Sequence, residues 1–193
     1  MRRREFPSDT VTLARYLLGK LIVRRIGRST ALARIVETES YVQGDAACHA
    51  FRGPTQRNRS LYLRPGHAYV YLCYGSCWLL NVSSEAAGTG SGVLLRAAEP
   101  LRGLSLMQAR REHLRPRDLC KGPGRLTQAL RVDRRFDGID LLSGRELWLA
   151  QDGVVVDDIG VSTRIGINRA VELPLRFYVR GNPCVSGPRR LNR

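Results

Sequence analysis

The stretch that decides the fold is Ala68-Tyr69-Val70-Tyr71-Leu72-Cys73-Tyr74-Gly75-Ser76-Cys77-Trp78-Leu79-Leu80-Asn81-Val82. Residues 68–73 alternate small or apolar residues with Tyr69 and Tyr71, the period of a strand, whose side chains at i and i+2 share a face. Tyr74-Gly75 can turn the chain, residues 77–82 run back as a second strand, and Arg64-Pro65-Gly66 makes a turn before the first. The segment therefore reads as a β-hairpin with Tyr74 at its tip.

Working outward, Ser8 or Asp9 can cap a helix over residues 10–18, which Gly19 stops. Residues 20–26 and 30–41 read as strands, and so do residues 92–98, entered through a Gly-rich loop at 86–92. Residues 104–114 have helical periodicity, with Leu104, Met107 and Leu114 near one face and Arg110, Arg111 and Arg115 elsewhere. Gly122-Pro123 opens a short helix to residue 130, with proline at a permitted first-turn position. Residues 147–149, 153–156, 164–167 and 175–180 read as further short strands. The polar stretch 43–61, holding Asp45, His49, Arg52, Arg57, Asn58 and Arg59, is too long for an ordinary connection and is a candidate for function. No internal repeat or linker divides the chain, and the Arg-rich ends, residues 1–6 and 186–193, are expected to be loose. The expected fold is α+β: a single domain with a mainly antiparallel curved sheet, surrounding helices and a protruding β-hairpin.

The 193 residues are enough to bury a core without disulfides or metal. Lysine and arginine total 32 against 17 acidic residues, a formal charge of +15, which suggests a polyanionic partner, nucleic acid first. A membrane surface fits less well, because no basic amphipathic helix with a Trp/Phe face is present, and no run approaches the ~20 apolar residues of a spanning helix. Arg2–Arg4 are followed by Glu5 and Pro7 with no apolar stretch, so no signal peptide is expected. The cysteines, at 48, 73, 77, 120 and 184, are odd in number and form no CxxC, so reduced thiols and a cytoplasmic location are expected.

Three groups can carry chemistry. Glu37, Glu39 and Tyr41 alternate onto one face of a strand; the bland alternative is an exposed edge strand with solvated carboxylates. Tyr69, Tyr71 and Tyr74 surround a tight turn; the alternative is sheet-core tyrosine. Asn81 and Arg96 each interrupt an apolar strand, where a polar side chain is either satisfied by a neighbour or used.

Taken in order, these motifs resemble one family. The matching stretches are Leu17-Leu18-Gly19-Lys20, Arg34-Ile35-Val36-Glu37-Thr38-Glu39-Ser40-Tyr41, Arg57-Asn58-Arg59, Pro65-Gly66, Tyr69-Val70-Tyr71, Tyr74-Gly75, Leu80-Asn81-Val82-Ser83-Ser84 and Val93-Leu94-Leu95-Arg96-Ala97, then Gly122-Pro123-Gly124 with Leu126, Arg164-Ile165-Gly166 and residues 175–181. Over residues 5–187 the chain resembles the alkyladenine (3-methyladenine or methylpurine) DNA glycosylases. The resemblance implies excision of alkylated or deaminated purines from double-stranded DNA after base flipping, leaving an abasic site. It implies that Glu39 is the general base, with Arg96 and the main-chain carbonyl of Ile165 holding the water, and Arg96 keeping Glu39 ionised. Tyr41, His49 and Tyr71 would sandwich the flipped base, Asn81 would exclude the 2-amino group of guanine, and Tyr74 would fill the vacated stack. Arg57, Arg59, Arg64 and Arg180 are the expected phosphate contacts. Ser76 and Cys77, beside the wedge, are smaller than is usual in the family. No metal or organic cofactor is implied. Neither Lys20 nor Lys121 matches a catalytic position, so a monofunctional, monomeric enzyme beside the nucleoid is expected.

Two rivals remain. A non-catalytic nucleic-acid-binding module related to formyltransferase C-terminal domains would carry the same charge but would not need Glu39, which repels phosphate. A nucleoside hydrolase would not need +15.

Overall fold

The computed structural model describes residues 1–109 and 114–192. Its central element is strand β2 (Ser29–Tyr41), which lies in an antiparallel, curved sheet. β1 (Leu21–Ile26) and β6 (Leu147–Ala150) lie to one side of it; β5 (Ser91–Arg102), β4 (Cys77–Ser84) and β3 (Ala68–Cys73) lie to the other. β8 (Arg176–Val179) pairs with the second half of β2, at Glu37–Glu39, and carries β7 (Ile159–Ser162) on its free edge. The α+β expectation holds.

β2 changes character along its length. Ala31, Ala33 and Ile35 are buried and alternate with partly exposed neighbours, the pattern of a strand covered on one face. From Val36 to Ser40 every residue is buried, so both faces are covered there and the edge-strand reading of Glu37 and Glu39 fails. One cover is helix α1 (Thr10–Leu17). The Asp9 side chain caps it by accepting from the Thr12 amide at 2.8 Å. Its buried Thr10, Leu13, Ala14 and Leu17 are spaced as one helical stripe. Thr38 Oγ1 donates to the Ala14 carbonyl at 2.9 Å, fixing the helix to the strand.

The β2–β5 register shifts around Glu37. Glu37 pairs with Ala97 but the next residue, Thr38, pairs with Leu95, so Arg96 is the extra residue of a β-bulge. Val36 is likewise passed over on β2, between the Ile35–Ala98 and Glu37–Ala97 pairs, so the register recovers, and alternation from Leu94, opposite Glu39, keeps Arg96 on the side of Glu37 and Glu39.

Other helices are short. Leu104–Gln108 forms α2, and Pro123–Ala129 forms α3, whose Thr127 Oγ1 donates to the Trp78 carbonyl at 2.6 Å and so ties it to β4. Of the helix expected over 104–114, Arg110 and Arg111 lie outside the described residues. Residues 153–156 and 164–167 are not strands, a correction. Gly153 and Gly166 take positive φ (+85° and +81°), and the 153–156 segment runs over the α1–β1 turn instead of joining a sheet edge. The strand in this region is β7, between them. Among the described residues no helix is long and apolar enough to cross a membrane.

Candidate active site

The hairpin is built as its sequence reads. Tyr74 and Gly75 both have positive φ (47° and 67°), as the tight primed turns of hairpins require, and the Ser76 amide closes the turn on the Cys73 carbonyl at 3.0 Å. A left-handed conformation is costly for tyrosine, of order 1–3 kcal/mol, and such strain gathers at functional positions. Tyr74 is 93% exposed, which removes the core alternative for this residue.

On one face of the hairpin, Tyr69, Tyr71 and Cys73 of β3 stand beside Cys77, Leu79 and Asn81 of β4. Across from them lie Tyr41, Arg96 and the 165–169 segment, enclosing a cavity of about 720 Å³. The Tyr69 and Tyr71 rings stack with centroids 5.2 Å apart, and His49 stands edge-on to Tyr71 at 4.5 Å. His49 Nδ1 lies 2.9 Å from the Tyr69 hydroxyl, and the Arg57 guanidinium sits 5.5 Å from the Tyr71 ring centroid. The core alternative fits Tyr69, which is 1% exposed, although its ring also lines the cavity. Burial holds the Tyr69 and Tyr71 hydroxyls well above the ordinary phenol range, so both stay neutral donors. Burial, then Arg57, lowers the His49 pKa and favours a neutral ring at physiological pH. In the floor, Asn81 Nδ2 donates to the Tyr69 carbonyl at 3.1 Å, which fixes the amide's orientation.

Glu39 lies behind this cavity, not on its surface. The carboxylate is fully buried by three groups that do line it. The Tyr41 hydroxyl donates to Oε2 at 3.0 Å, the Ile165 amide donates to Oε1 at 2.8 Å, and Arg96 Nη1 stands 3.2 Å from Oε1. Arg96 Nη1 also reaches the Ile165 carbonyl at 3.4 Å. The structure thus brings Glu39, Arg96, Ile165, Tyr41, His49, Tyr71, Asn81 and Tyr74 around one cavity. Burial raises the Glu39 pKa, and Arg96, the Ile165 amide and the Tyr41 hydroxyl do not fully offset it, so the carboxyl titrates above its usual range.

The arginines are less concentrated. Arg57 lines the cavity, whereas Arg59, Arg64 and Arg180 are exposed and do not. Arg180 Nε is held by Asp158 at 3.1 Å. Sequence reasoning missed Arg169, an exposed cavity-lining residue three positions beyond the Arg164-Ile165-Gly166 motif. It also missed the fully buried pair of Arg164 and Asp45. Arg164 Nη2 donates to Asp45 Oδ1 at 3.0 Å, Nη1 donates to the Ser40 carbonyl at 2.9 Å, and the guanidinium lies 4.8 Å from the Tyr41 ring centroid. This pair ties the loop carrying His49 to the loop carrying Ile165. An Asp at the start of a long polar stretch, 119 residues from its partner, gave no local signal of the pairing.

Comparison with known proteins identifies the family. Residues 4–183 match the family model described as methylpurine-DNA glycosylase. A Mesorhizobium japonicum protein named "Putative 3-methyladenine DNA glycosylase" is 58% identical over 189 residues, covering 98% of this chain and 91% of that protein. A Paraburkholderia phytofirmans protein of the same name is 50% identical, covering 98% and 89%. The mouse DNA-3-methyladenine glycosylase is 45% identical over 199 residues, and the match spans 94% of this chain and 59% of the mouse protein. The chain belongs to the methylpurine-DNA glycosylase family.

Proposed function

We propose that this chain flips a damaged purine out of duplex DNA and hydrolyses its N-glycosidic bond, as a monofunctional glycosylase acting as a monomer. The observation that carries the reading is the placing of the Glu39–Arg96–Ile165 cluster directly behind an aromatic cavity whose rim bears the exposed Tyr74. In this reading Tyr74 occupies the gap left in the stack, and the flipped base lies among Tyr41, Tyr71 and His49. Aromatic stacking at about 1–3 kcal/mol per base tolerates several purines, so 3-methyladenine, 7-methylguanine, hypoxanthine and ethenoadenine are the proposed substrates. Asn81, fixed in the floor, disfavours the exocyclic 2-amino group of undamaged guanine; 7-methylguanine carries the same group, and its cationic base offsets the penalty by leaving readily.

The attacking water is held by Arg96 and the Ile165 carbonyl and gives its proton to Glu39. Because the Tyr41 hydroxyl caps Glu39 Oε2, the carboxylate becomes reachable from the cavity when that hydrogen bond opens. A buried anion next to C1′ also stabilises the oxocarbenium character of the transition state, as carboxylates do in sugar hydrolases. Arg57, Arg59, Arg64 and Arg180 supply phosphate contacts.

The test is a duplex with one labelled hypoxanthine or ethenoadenine, incubated with the protein and then treated with alkali. Strand breakage only after alkali is the expected result. Breakage without alkali would show lyase chemistry, and binding without breakage would favour the non-catalytic module.

A further inference from the structure

Glu37 is fully buried two residues before Glu39, outside the cavity. Its Oε1 accepts from Arg96 Nε at 2.8 Å, Arg176 Nε at 2.7 Å and Ser186 Oγ at 3.0 Å; its Oε2 accepts from the Ser186 amide at 2.7 Å. Arg176 is also fully buried. Its remaining N–H groups go to Ser162 Oγ at 2.8 Å, the Leu191 carbonyl at 3.0 Å, the Ser186 carbonyl at 3.0 Å and Asn192 Oδ1 at 2.7 Å. The C-terminal segment, expected from sequence to be loose, makes all of these contacts except the one to Ser162 of β7.

A guanidinium presents its donors in a rigid plane. Arg96 stands in a bulge, where no cross-strand partner constrains it. With Nε anchored on Glu37, the plane of the group brings Nη1 to Glu39 Oε1 and the Ile165 carbonyl. The same guanidinium is divided between two carboxylates, so the charge it offers Glu39 depends on what Glu37 takes.

We infer that Glu37 is a positioning residue for the hydrolysis: backed by Arg176 and residues 186–192, it aims Arg96 at Glu39 and sets how strongly Arg96 favours the ionised base. The inference rests on the reading of Glu39 as the base. The groups facing Glu39 are Arg96 from β5, Glu37 and Tyr41 from its own strand, Arg176 opposite it on β8, Tyr71 from β3, and Arg164 with the Ile165 amide from the 164–169 loop. Replacing Glu37 by Gln keeps an oxygen that can accept from Arg96 Nε, and removes both the one like charge in this set and its competing claim on the guanidinium's charge; both changes favour the carboxylate.

The experiment is single-turnover excision of 7-methylguanine from duplex DNA as a function of pH, since this cationic base leaves without needing a proton. Glu37→Gln is expected to move the acid limb of the rate profile down by about one unit. An unmoved limb in the folded variant overturns the inference, because a merely structural role lowers the rate without moving the limb. Should Glu37→Gln fail to fold, Glu37→Asp decides: it keeps the charge but shortens its reach. The Asp variant is expected to hold the limb in place while lowering the plateau rate, with DNA affinity unchanged; a wild-type plateau overturns the inference. Glu39→Gln run in parallel separates the two claims. If it still excises, the base assignment falls and this inference with it. If it is inactive while Glu37→Gln leaves the limb unmoved, the positioning role alone falls.

Discussion

Glu37 and Glu39 lie two residues apart on one face of β2, both fully buried and both in contact with Arg96, yet their carboxyl groups are driven in opposite directions. Burial raises both. For Glu37 the pull of Arg96 and Arg176, with hydrogen bonds from Arg176 and Ser186, exceeds that burial and the pKa falls below its usual value. For Glu39 burial prevails and the pKa rises. Paired carboxyls pushed apart in this way mark a division of roles, with the more basic one suited to accept a proton. On the proposed mechanism, Glu37 is the structural anion and Glu39 the reactive one.

Glu39→Gln is expected to abolish excision while leaving affinity for lesion DNA within a few-fold. Loss of a general base costs about 10²–10⁴ in rate, and more where water positioning is lost too. Single-turnover excision and a binding titration on the same oligonucleotide measure both. Retained activity in Glu39→Gln with loss in Glu37→Gln would move the base to Glu37.

The opposed shifts also predict opposite stability effects. A group whose folded pKa is raised stabilises fully below its unfolded value, about 4.3 for Glu, and loses that contribution as pH rises through the folded value. Glu39→Gln should therefore raise the melting temperature at pH 7 and approach the wild type near pH 4. A group whose folded pKa is lowered stabilises above the unfolded value and loses this as pH falls through the folded one. Glu37→Gln should accordingly lower the melting temperature at pH 7 and cost less as pH falls. Melting curves across this range would refute the assignment if both variants shifted the same way at pH 7.

Tyr74→Ser should leave folding stability within about 0.5 kcal/mol, as expected for an exposed residue away from the core. The same change should reduce the flipping of an ethenoadenine lesion, read by its fluorescence, because nothing then holds the vacated gap. Lowered melting with normal flipping would rule out the wedge.

Asn81→Ser should deepen the cavity floor and permit some excision of undamaged guanine. The ratio of guanine to hypoxanthine excision is the measurement, and an unchanged ratio would count against exclusion by Asn81.

Affinity for DNA should fall steeply with salt, at a logarithmic slope of about −0.9 for each phosphate contact. Arg57→Ala should reduce that slope by about one contact. Arg180→Ala should change it less, because Asp158 already holds that guanidinium. Lesion and undamaged duplexes should show the same trend, and a flat salt dependence would contradict a phosphate-binding surface.

Local chemistry determined much of this protein. Alternation and a Tyr-Gly turn specified the hairpin, Asp9 and a helical stripe specified α1, and period-two spacing put Glu37 and Glu39 on one face. Each is a short-range rule that a few neighbouring residues suffice to state. The burial of β2 on both faces was not local, because it depends on α1 and the C-terminal segment arriving from opposite ends of the chain. Nor was the bulge at Arg96, which exists only relative to the register of its partner strand. The valines at 154–156 have strand propensity, but propensity cannot supply a free sheet edge, and the positive φ of Gly153 ends the run. Only the tertiary structure decided how differently the two glutamates are held: the sequence places both on one face, while Glu37 takes Arg96 together with Arg176, 139 positions away, and Glu39 meets Arg96, the Ile165 amide and the Tyr41 hydroxyl.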